Sequence, residues 1–212
     1  KILLQRNMLL KNIKEKGVFD LGLLEVLNMQ LVDVGDGIYQ RRKRFMEEFS
    51  PAFQRYYSFL TGEAETVSLV YDSPLHAQDF MSLLTMSVDR DRQLERTTQG
   101  VHKDDLVFTI HGEMPLKKFG SQGQQKSFLI ALKLAQYAFL QEQNKCKPLL
   151  LLDDIFDKLD DKRTKKLMQM VSEDAFGQIF ITDTDGVRIR KIFDEIDQPI
   201  RIFDIAEGQV YV

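Results

Sequence analysis

Apolar residues recur at helical spacing through the first half of the chain. One stripe advances in steps of three and four residues and consists of Leu24, Leu27, Leu31, Val34, Ile38, Phe45 and Phe49. This period predicts a long amphipathic helix, in which Gly35 and Gly37 lower the helix propensity and Pro51 predicts a kink. A looser stripe predicts a second helix over residues 77–96. We therefore expect two helices packed as an antiparallel arm, with an ordinary helical bundle as the alternative.

The pattern changes after Asp104 to short strands that alternate with helices, which indicates a layered α/β unit. The predicted elements are a strand over 106–110, a helix from Gly123 to about Gln143, a strand over 149–152, a helix over 162–171, a strand over 178–182, a helix over 187–193, and strands over 200–205 and 209–212 joined at Glu207-Gly208. The change of pattern near Gly100 predicts two domains, a helical arm over 1–100 and an α/β lobe over 101–212.

Composition narrows the class of protein. A chain of 212 residues that is 43% hydrophobic can bury one large core or two small ones. No segment approaches the roughly 18 to 20 apolar residues of a membrane helix, and the N-terminus lacks the layout of a signal peptide. The single cysteine, Cys146, cannot form an internal disulfide, and the histidines have no ligand spacing around it. We therefore expect a cytoplasmic protein without a Cys/His metal cage and without a membrane partner.

Charge limits how this chain could bind nucleic acid. A net charge of −3 with a pI of about 5.7 argues against a wholly basic surface, so any DNA contact needs a local patch or residues outside this chain. The run Arg41-Arg42-Lys43-Arg44 could contact phosphates, although a charged run on a helix is usually solvated.

Two adjacent acids follow an uninterrupted apolar run. Residues 149–152 are all leucine, and Asp153 and Asp154 come next. A strand that is apolar on both faces is typical of the middle of a sheet, and open α/β sheets bind ligands at the carboxyl ends of their strands. One carboxylate there could hold a Mg²⁺ that bridges nucleotide phosphates, and a second could orient the attacking water. The alternative is a pair of solvated acids at the start of a loop.

A second candidate segment, Gly120-Ser121-Gln122-Gly123, stands directly before the predicted helix that ends near Gln143. Such a loop presents free backbone N–H groups and a hydroxyl at the positive end of the helix dipole, where an anion can bind. The alternative is ordinary helix capping by Ser121.

The order of these segments, completed by Asp157-Lys158-Leu159-Asp160, resembles the ABC-type ATPases and specifically the RecF family. The matching segments are residues 100–106, 121–127 and 150–160, together with Arg6-Asn7. The resemblance implies the α/β C-terminal lobe of an ABC-type ATPase head with an attached α-helical arm. It also implies ATP and Mg²⁺ as cofactors.

The resemblance assigns roles to individual residues. These are the signature residues Ser121, Gly123 and Gln124, which reach the γ-phosphate of ATP on a second subunit, the Mg²⁺ ligand Asp153, the catalytic Asp154, the D-loop acid Asp160, and Thr182 as γ-phosphate sensor, with Asp183 and Thr184 as alternatives. Many relatives carry Glu where Asp154 stands. The shorter side chain predicts slow hydrolysis, which suits a timed switch.

Two departures from the ATPase pattern matter. Residues 179–184 contain no histidine, which counts against a transport ATPase. No G-x-x-x-x-G-K-[ST] segment is present to cradle the β- and γ-phosphates, so we expect this chain alone to bind ATP weakly or not at all and to lack ATPase activity. Because it begins at Lys1 with the apolar run Ile2-Leu3-Leu4, we expect the C-terminal part of a longer protein.

For the intact protein, the resemblance implies ATP-dependent homodimerisation, binding to gapped or single-strand/double-strand junction DNA, and release on hydrolysis. It further implies a role in replication, recombination, repair and the SOS response, with RecR and RecO as partners and with help in loading RecA. Two alternatives stay open. An SMC-like or Rad50-like chromosome ATPase head would have a longer coiled coil than about a hundred residues allow. A catalytically silent partner-binding module would not need Ser121, Asp153 or Asp154.

Overall fold

The computed structural model describes residues 1–16, 20–62, 65–153, 159–172, 176–196 and 200–211. In these ranges the helices are α1 (Ile2–Lys16), α2 (Leu21–Thr61), α3 (Phe80–Met86), α4 (Val88–Leu94), α5 (Leu116–Phe119), α6 (Gln122–Asn144), α7 (Asp161–Val171) and α8 (Gly186–Glu195). The strands are β1 (Val67–Asp72), β2 (Asp105–Ile110), β3 (Met114–Pro115), β4 (Leu150–Asp153), β5 (Ile179–Thr182), β6 (Asp204–Ala206) and β7 (Gln209–Tyr211). Among them, no helix is both long enough and apolar enough to cross a membrane.

The chain divides into two compact units. The first contains Lys1–Ser50 and Val67–Thr109, and the second contains Pro51–Thr66 and Ile110–Val212. The helix α2 therefore contributes its first thirty residues to the first unit and its last turns to the second. The division into an arm over 1–100 and a lobe over 101–212 remains a prediction.

The predicted long helix is confirmed, but its buried face differs from the predicted stripe. Pro51 lies inside α2 without ending it. Leu24, Leu27 and Phe49 are buried, whereas Val34 and Phe45 are exposed. A strict three–four pattern over so many turns therefore does not describe one continuous buried face.

A glycine takes the place of an apolar side chain at the centre of this face. A Cβ added to Gly35 would lie 2.3 Å from Cε1 of Phe80, and one added to Gly100 would lie 2.4 Å from its Cζ. The buried Phe80 ring thus fits between two glycine backbones, with Leu75 and Leu84 completing the cluster. Gly35 makes room for the core of the first unit rather than merely weakening α2.

The predicted single helix over 77–96 is wrong, because short polar side chains interrupt it. Asp79 begins α3 by accepting a hydrogen bond from the N–H of Ser82 at 2.9 Å. Ser87, with φ −91° and ψ −1°, separates α3 from α4, and its hydroxyl donates to the carbonyl of Leu84. The expected antiparallel pair of long helices therefore does not form: α3 packs against α2 through Phe80, and α4 contacts α1.

A buried ion pair connects the helices of the first unit. Arg6 Nη1 donates to Oδ2 of Asp91 at 2.6 Å, and both side chains are fully buried. The same nitrogen donates to Thr97 Oγ1 at 2.8 Å, and Nε donates to Asn28 Oδ1 at 2.7 Å. Since a buried cation requires a paired anion, Arg6 fixes α1 against α2 and α4.

In the second unit, aromatic packing holds α6 against the last turns of α2. The Phe53 and Phe128 ring centroids are 4.7 Å apart, and a second pair, Tyr137 with Phe176 at 4.8 Å, joins α6 to the segment before β5. The Tyr137 hydroxyl also accepts a hydrogen bond from the N–H of Gly177 at 2.8 Å. This packing fixes α6 within the second unit.

The strand pair β4–β5 is parallel, with Leu150 opposite Ile179 and Asp153 opposite Thr182. Leu150 and Leu152 are buried, but Leu151 is 70% exposed. Among the described residues β4 pairs only with β5. The prediction of a strand buried on both faces is therefore wrong for this part of the chain.

The last two strands form an antiparallel hairpin, with Ile205 opposite Val210. Glu207 and Gly208, with φ of 53° and 76°, provide the left-handed backbone that a two-residue hairpin turn requires. The predicted turn is confirmed, while β6 is shorter than predicted.

Candidate functional site

The first turn of α6 is closed by a reciprocal pair of hydrogen bonds. Ser121 Oγ accepts from the N–H of Gln124 at 3.2 Å, and Gln124 Oε1 accepts from the N–H of Ser121 at 2.8 Å. This capping box leaves the hydroxyl hydrogen of Ser121 and the first-turn N–H groups of Gln122 and Gly123 as donors. Helix capping and anion binding are therefore compatible at this loop.

The acid at the end of β4 lies beside a hydroxyl at the end of β5. The register places Asp153 opposite Thr182, and Thr182 Oγ1 donates a short hydrogen bond to Asp153 Oδ1. Both residues are exposed. Asp183, an alternative sensor, instead accepts a hydrogen bond from the N–H of Asp185 at 2.7 Å. A carboxylate and a hydroxyl thus meet at the carboxyl ends of two parallel strands.

Asp154, Asp157 and Lys158 lie outside the described residues. The predicted catalytic role of Asp154 stays a prediction.

Asp160 caps helix α7. Its carboxylate accepts a hydrogen bond from the N–H of Arg163 at 2.8 Å, and its carbonyl accepts from the Thr164 hydroxyl at 2.9 Å. Arg188, on α8, donates to the carbonyl of Leu159 at 3.3 Å and to Asp161 at 3.1 Å. The backbone at Asp160 is therefore fixed from two helices while its carboxylate remains exposed.

Sequence reasoning missed Glu65 and Arg163, which connect the two predicted loops. Arg163 Nη2 donates to Glu65 Oε1 at 2.6 Å, and Nη1 donates to Ser127 Oγ at 3.0 Å. Together with Tyr57, Gln124 lowers the pKa of the Glu65 carboxyl. The one signal in the sequence is that Arg163 stands three residues after Asp160, within reach of a helix cap.

The carboxylate of Asp153 is chemically suited to binding Mg²⁺. Mg²⁺ usually takes one or two carboxylates and completes its shell with water and substrate phosphates. The exposed Asp153 carboxylate fits that pattern. Within the described ranges, no three His, Cys, Asp or Glu residues come close enough to form an all-protein metal site. One exposed carboxylate at the end of β4 is the kind of ligand that a cation shared with a nucleotide would take.

His102 and Asp104, which lie in the matching segment 100–106, take part in contacts that fix a turn in the first unit. Asp104 accepts hydrogen bonds from Arg42 Nη1 at 2.5 Å, from Tyr71 at 2.6 Å and from Ser73 at 2.7 Å. Burial, followed by the bond to Asp104, raises the pKa of Tyr71 to about 12. His102 Nε2 lies 3.1 Å from the carbonyl oxygen of Thr97. Within the basic run Arg41-Arg42-Lys43-Arg44, Arg42 therefore has a structural partner.

Comparison with known proteins identifies relatives along nearly the whole chain. No protein-family model matches it. It is 48% identical over 205 residues to the DNA replication and repair protein RecF of Flavobacterium johnsoniae, covering 97% of this chain and 57% of that protein. It is 46% identical over 210 residues to RecF of Parabacteroides distasonis, covering 99% and 56%. The chain thus spans about half the length of the curated relatives it matches.

Solved structures of RecF proteins also match this chain. A structure of the recombination mediator protein RecF with ATP, from the RecFOR pathway, superposes with a TM-score of 0.74 at 26% identity and covers 99% of this chain and 55% of that one. A second RecF structure, with ATPrS, gives a TM-score of 0.72. The mixed α/β fold and the resemblance to RecF inferred from the sequence are confirmed. Along nearly its whole length, this chain is therefore similar to RecF proteins, of which it spans about half.

Proposed function

We propose that this chain supplies the signature loop and the Mg²⁺-side acids of an ATP site in a DNA-repair ATPase. The observation that carries the proposal is the in-register meeting of Asp153 and Thr182 at the carboxyl ends of β4 and β5. Ligands of open α/β sheets bind at this end of the strands. The RecF relatives and the ATP-containing RecF structure support the choice of nucleotide.

In this proposal each residue has one task. Asp153 would hold the cation, which supplies positive charge against the phosphates. Asp154 would orient and deprotonate the attacking water, and Thr182 would sense the γ-phosphate. Ser121, Gly123 and Gln124 would donate hydrogen bonds to the γ-phosphate of a nucleotide held by a second copy of the protein, with Asp160 near the seam.

For the whole protein we propose a cytoplasmic homodimer that closes on ATP around gapped or junction DNA and opens after slow hydrolysis. RecR and RecO would be its partners, and the outcome would be help in loading RecA. The RecFOR pathway of the solved relative supports these partners. Because the sequence contains no P-loop, this chain alone should show no ATPase activity, which a turnover assay on contaminant-free material can check.

The decisive variant is Ser121→Arg in the full-length protein. The exposed Ser121 would face the nucleotide of the second copy, so an arginine would fill that space while ATP binding by each monomer stays intact. Light scattering with and without ATP should show loss of the dimer, and a fluorescent nucleotide should still bind. Thr85→Arg places the same side chain on the exposed part of α3 and should dimerise normally. A normal dimer in Ser121→Arg would refute the proposed role and favour a silent partner-binding module.

A further inference from the structure

The Ser121 loop and the Asp160 cap are joined by one pair of charged side chains. Glu65, which follows α2 in the chain, pairs with Arg163 of α7 at 2.6 Å. The two side chains are only 13% and 17% exposed, so solvent screens this pair less than a surface salt bridge. It is therefore the best-shielded ionic contact near the predicted loops among the residues described.

Glu65 is held from both of its carboxylate oxygens. Oε2 accepts a hydrogen bond at 2.7 Å from the hydroxyl of Tyr57, whose side chain is fully buried. Burial raises the pKa of Glu65, but hydrogen bonds from Tyr57, Gln124 and Arg163 outweigh it, so the net shift is downward. The carboxylate is therefore ionised and fixed in one orientation at neutral pH.

On the α6 side, the connection runs through two residues of the first turns. Gln124 uses Oε1 to hold the N–H of Ser121, and its side chain interacts with Glu65 closely enough to help lower the pKa of that carboxyl. Ser127, one turn further and fully buried, accepts from Arg163 Nη1 at 3.0 Å. Displacing the charged pair would thus disturb the side chain that orients Ser121.

On the α7 side, Arg163 stands one turn after Asp160. Its backbone N–H donates to the Asp160 carboxylate, and its Nε lies 3.5 Å from the second carboxylate oxygen. One guanidinium therefore touches α6, Glu65 and the D-loop acid together.

We propose that Glu65 and Arg163 are positioning residues that hold the Ser121 loop and Asp160 in a fixed relative geometry. This inference rests on the proposed function, in which both loops face a second copy of the protein. A surface assembled before the partner arrives loses less conformational freedom on binding than one that must be ordered by it. The pair therefore acts on ATP-dependent dimerisation and not on ATP binding by the monomer.

The test uses Glu65→Gln and Arg163→Gln in the full-length protein. Each removes one charge-assisted contact, so dimer affinity in saturating ATP should fall by about tenfold while the nucleotide affinity of the monomer changes by less than about twofold. Tyr57→Phe is the matched control, since it removes a neutral donor to Glu65 and leaves Arg163 in place. Because Tyr57 also helps to fix Glu65, the dimer affinity of this variant should fall, but by less than that of either glutamine variant.

Charge reversal separates positioning from general stability. The double variant Glu65→Arg/Arg163→Glu restores an ion pair of opposite sense and should dimerise better than either charge-reversed single variant. The proposal is overturned if both glutamine variants dimerise like the wild type, if they lose monomer nucleotide binding in the same proportion, or if the double variant recovers nothing. If the glutamine variants dimerise normally but Ser121→Arg does not, the positioning role is wrong and the proposed function still stands. If Ser121→Arg also dimerises normally, both the positioning role and the proposed function are wrong.

Discussion

Replacing Asp91 with Asn should destabilise the chain more than an ordinary buried substitution. Asp91 Oδ1 accepts hydrogen bonds from the N–H and hydroxyl of Thr98, and Oδ2 faces Arg6 and Ser87. An asparagine can keep its carbonyl oxygen towards Thr98. Its amide NH₂ then points at the Arg6 guanidinium, so two donors meet and a fully buried positive charge loses its anion.

The expected loss can be bounded from these contacts. Removing one partner of a buried ion pair typically costs about 3–5 kcal/mol, because the remaining charge stays desolvated. Asn28 and Thr97 still accept hydrogen bonds from Arg6, which favours the lower part of that range. Small domains are stable by only about 5–15 kcal/mol, so the change should be large in any unfolding assay.

Replacing Arg6 should lower the free energy of unfolding less than replacing Asp91. In Arg6→Met, the Asp91 carboxylate keeps its bonds from Thr98 and Ser87, whereas Asp91→Asn leaves a cation without an anion. The double variant Arg6→Met/Asp91→Leu removes both charges and should lose less stability than the sum of the corresponding single variants. Urea unfolding followed by circular dichroism measures all of these. A loss below about 1 kcal/mol in Asp91→Asn, or strict additivity in the double variant, would refute this reasoning.

Three further outcomes are expected. Gly35→Ala should lower the free energy of unfolding by about 1–3 kcal/mol, because the added Cβ meets the Phe80 ring. Gly37→Ala, which has open space around it, should raise that free energy by up to about 1 kcal/mol, and chemical denaturation of the two variants side by side is the check. In the full-length protein, Asp154→Asn should slow single-turnover hydrolysis by about 10²- to 10⁴-fold and prolong the DNA-bound state. Asp153→Asn should instead weaken Mg²⁺-dependent nucleotide binding, and identical behaviour of the two variants would refute the division of roles. Because the pKa of Glu65 is lowered from 4.5 in the folded state, the wild type should be more stable than Glu65→Gln above that pH. This advantage should vanish as the pH falls through the folded-state pKa, and unfolding midpoints across a pH series measure it.

Elements with a long, regular pattern were predictable from the sequence. The helices α2 and α6 and the strand β5 lie where the periodicity places them. The strand β1 was missed, although Val67, Leu69 and Tyr71 alternate with more exposed residues. The break at Ser87 was missed because it depends on hydrogen bonds of single side chains, which periodicity does not record.

The candidate site was predictable where its residues are neighbours in sequence. Ser121 and Gln124 are three residues apart, and the capping box follows from that spacing. The contact of Asp153 with Thr182 required the strand register. The pairing of Glu65 with Arg163 joins residues 98 positions apart, and neither belongs to a recognisable motif. Such a contact is decided by the packing of α2, α6 and α7.

The Phe80 ring, enclosed by Gly35 and Gly100, restricts the order in which sequence change can occur. A larger residue at either glycine meets the ring at once, so it is accepted only after Phe80 has been replaced by a smaller side chain. At Gly100 the positive φ of 124° keeps a second barrier even then. The three positions, 65 residues apart at their extremes, should therefore show strong epistasis: Phe80→Leu alone leaves a cavity and Gly35→Ala alone meets the ring, so the double variant should lose less stability than the two single losses added together.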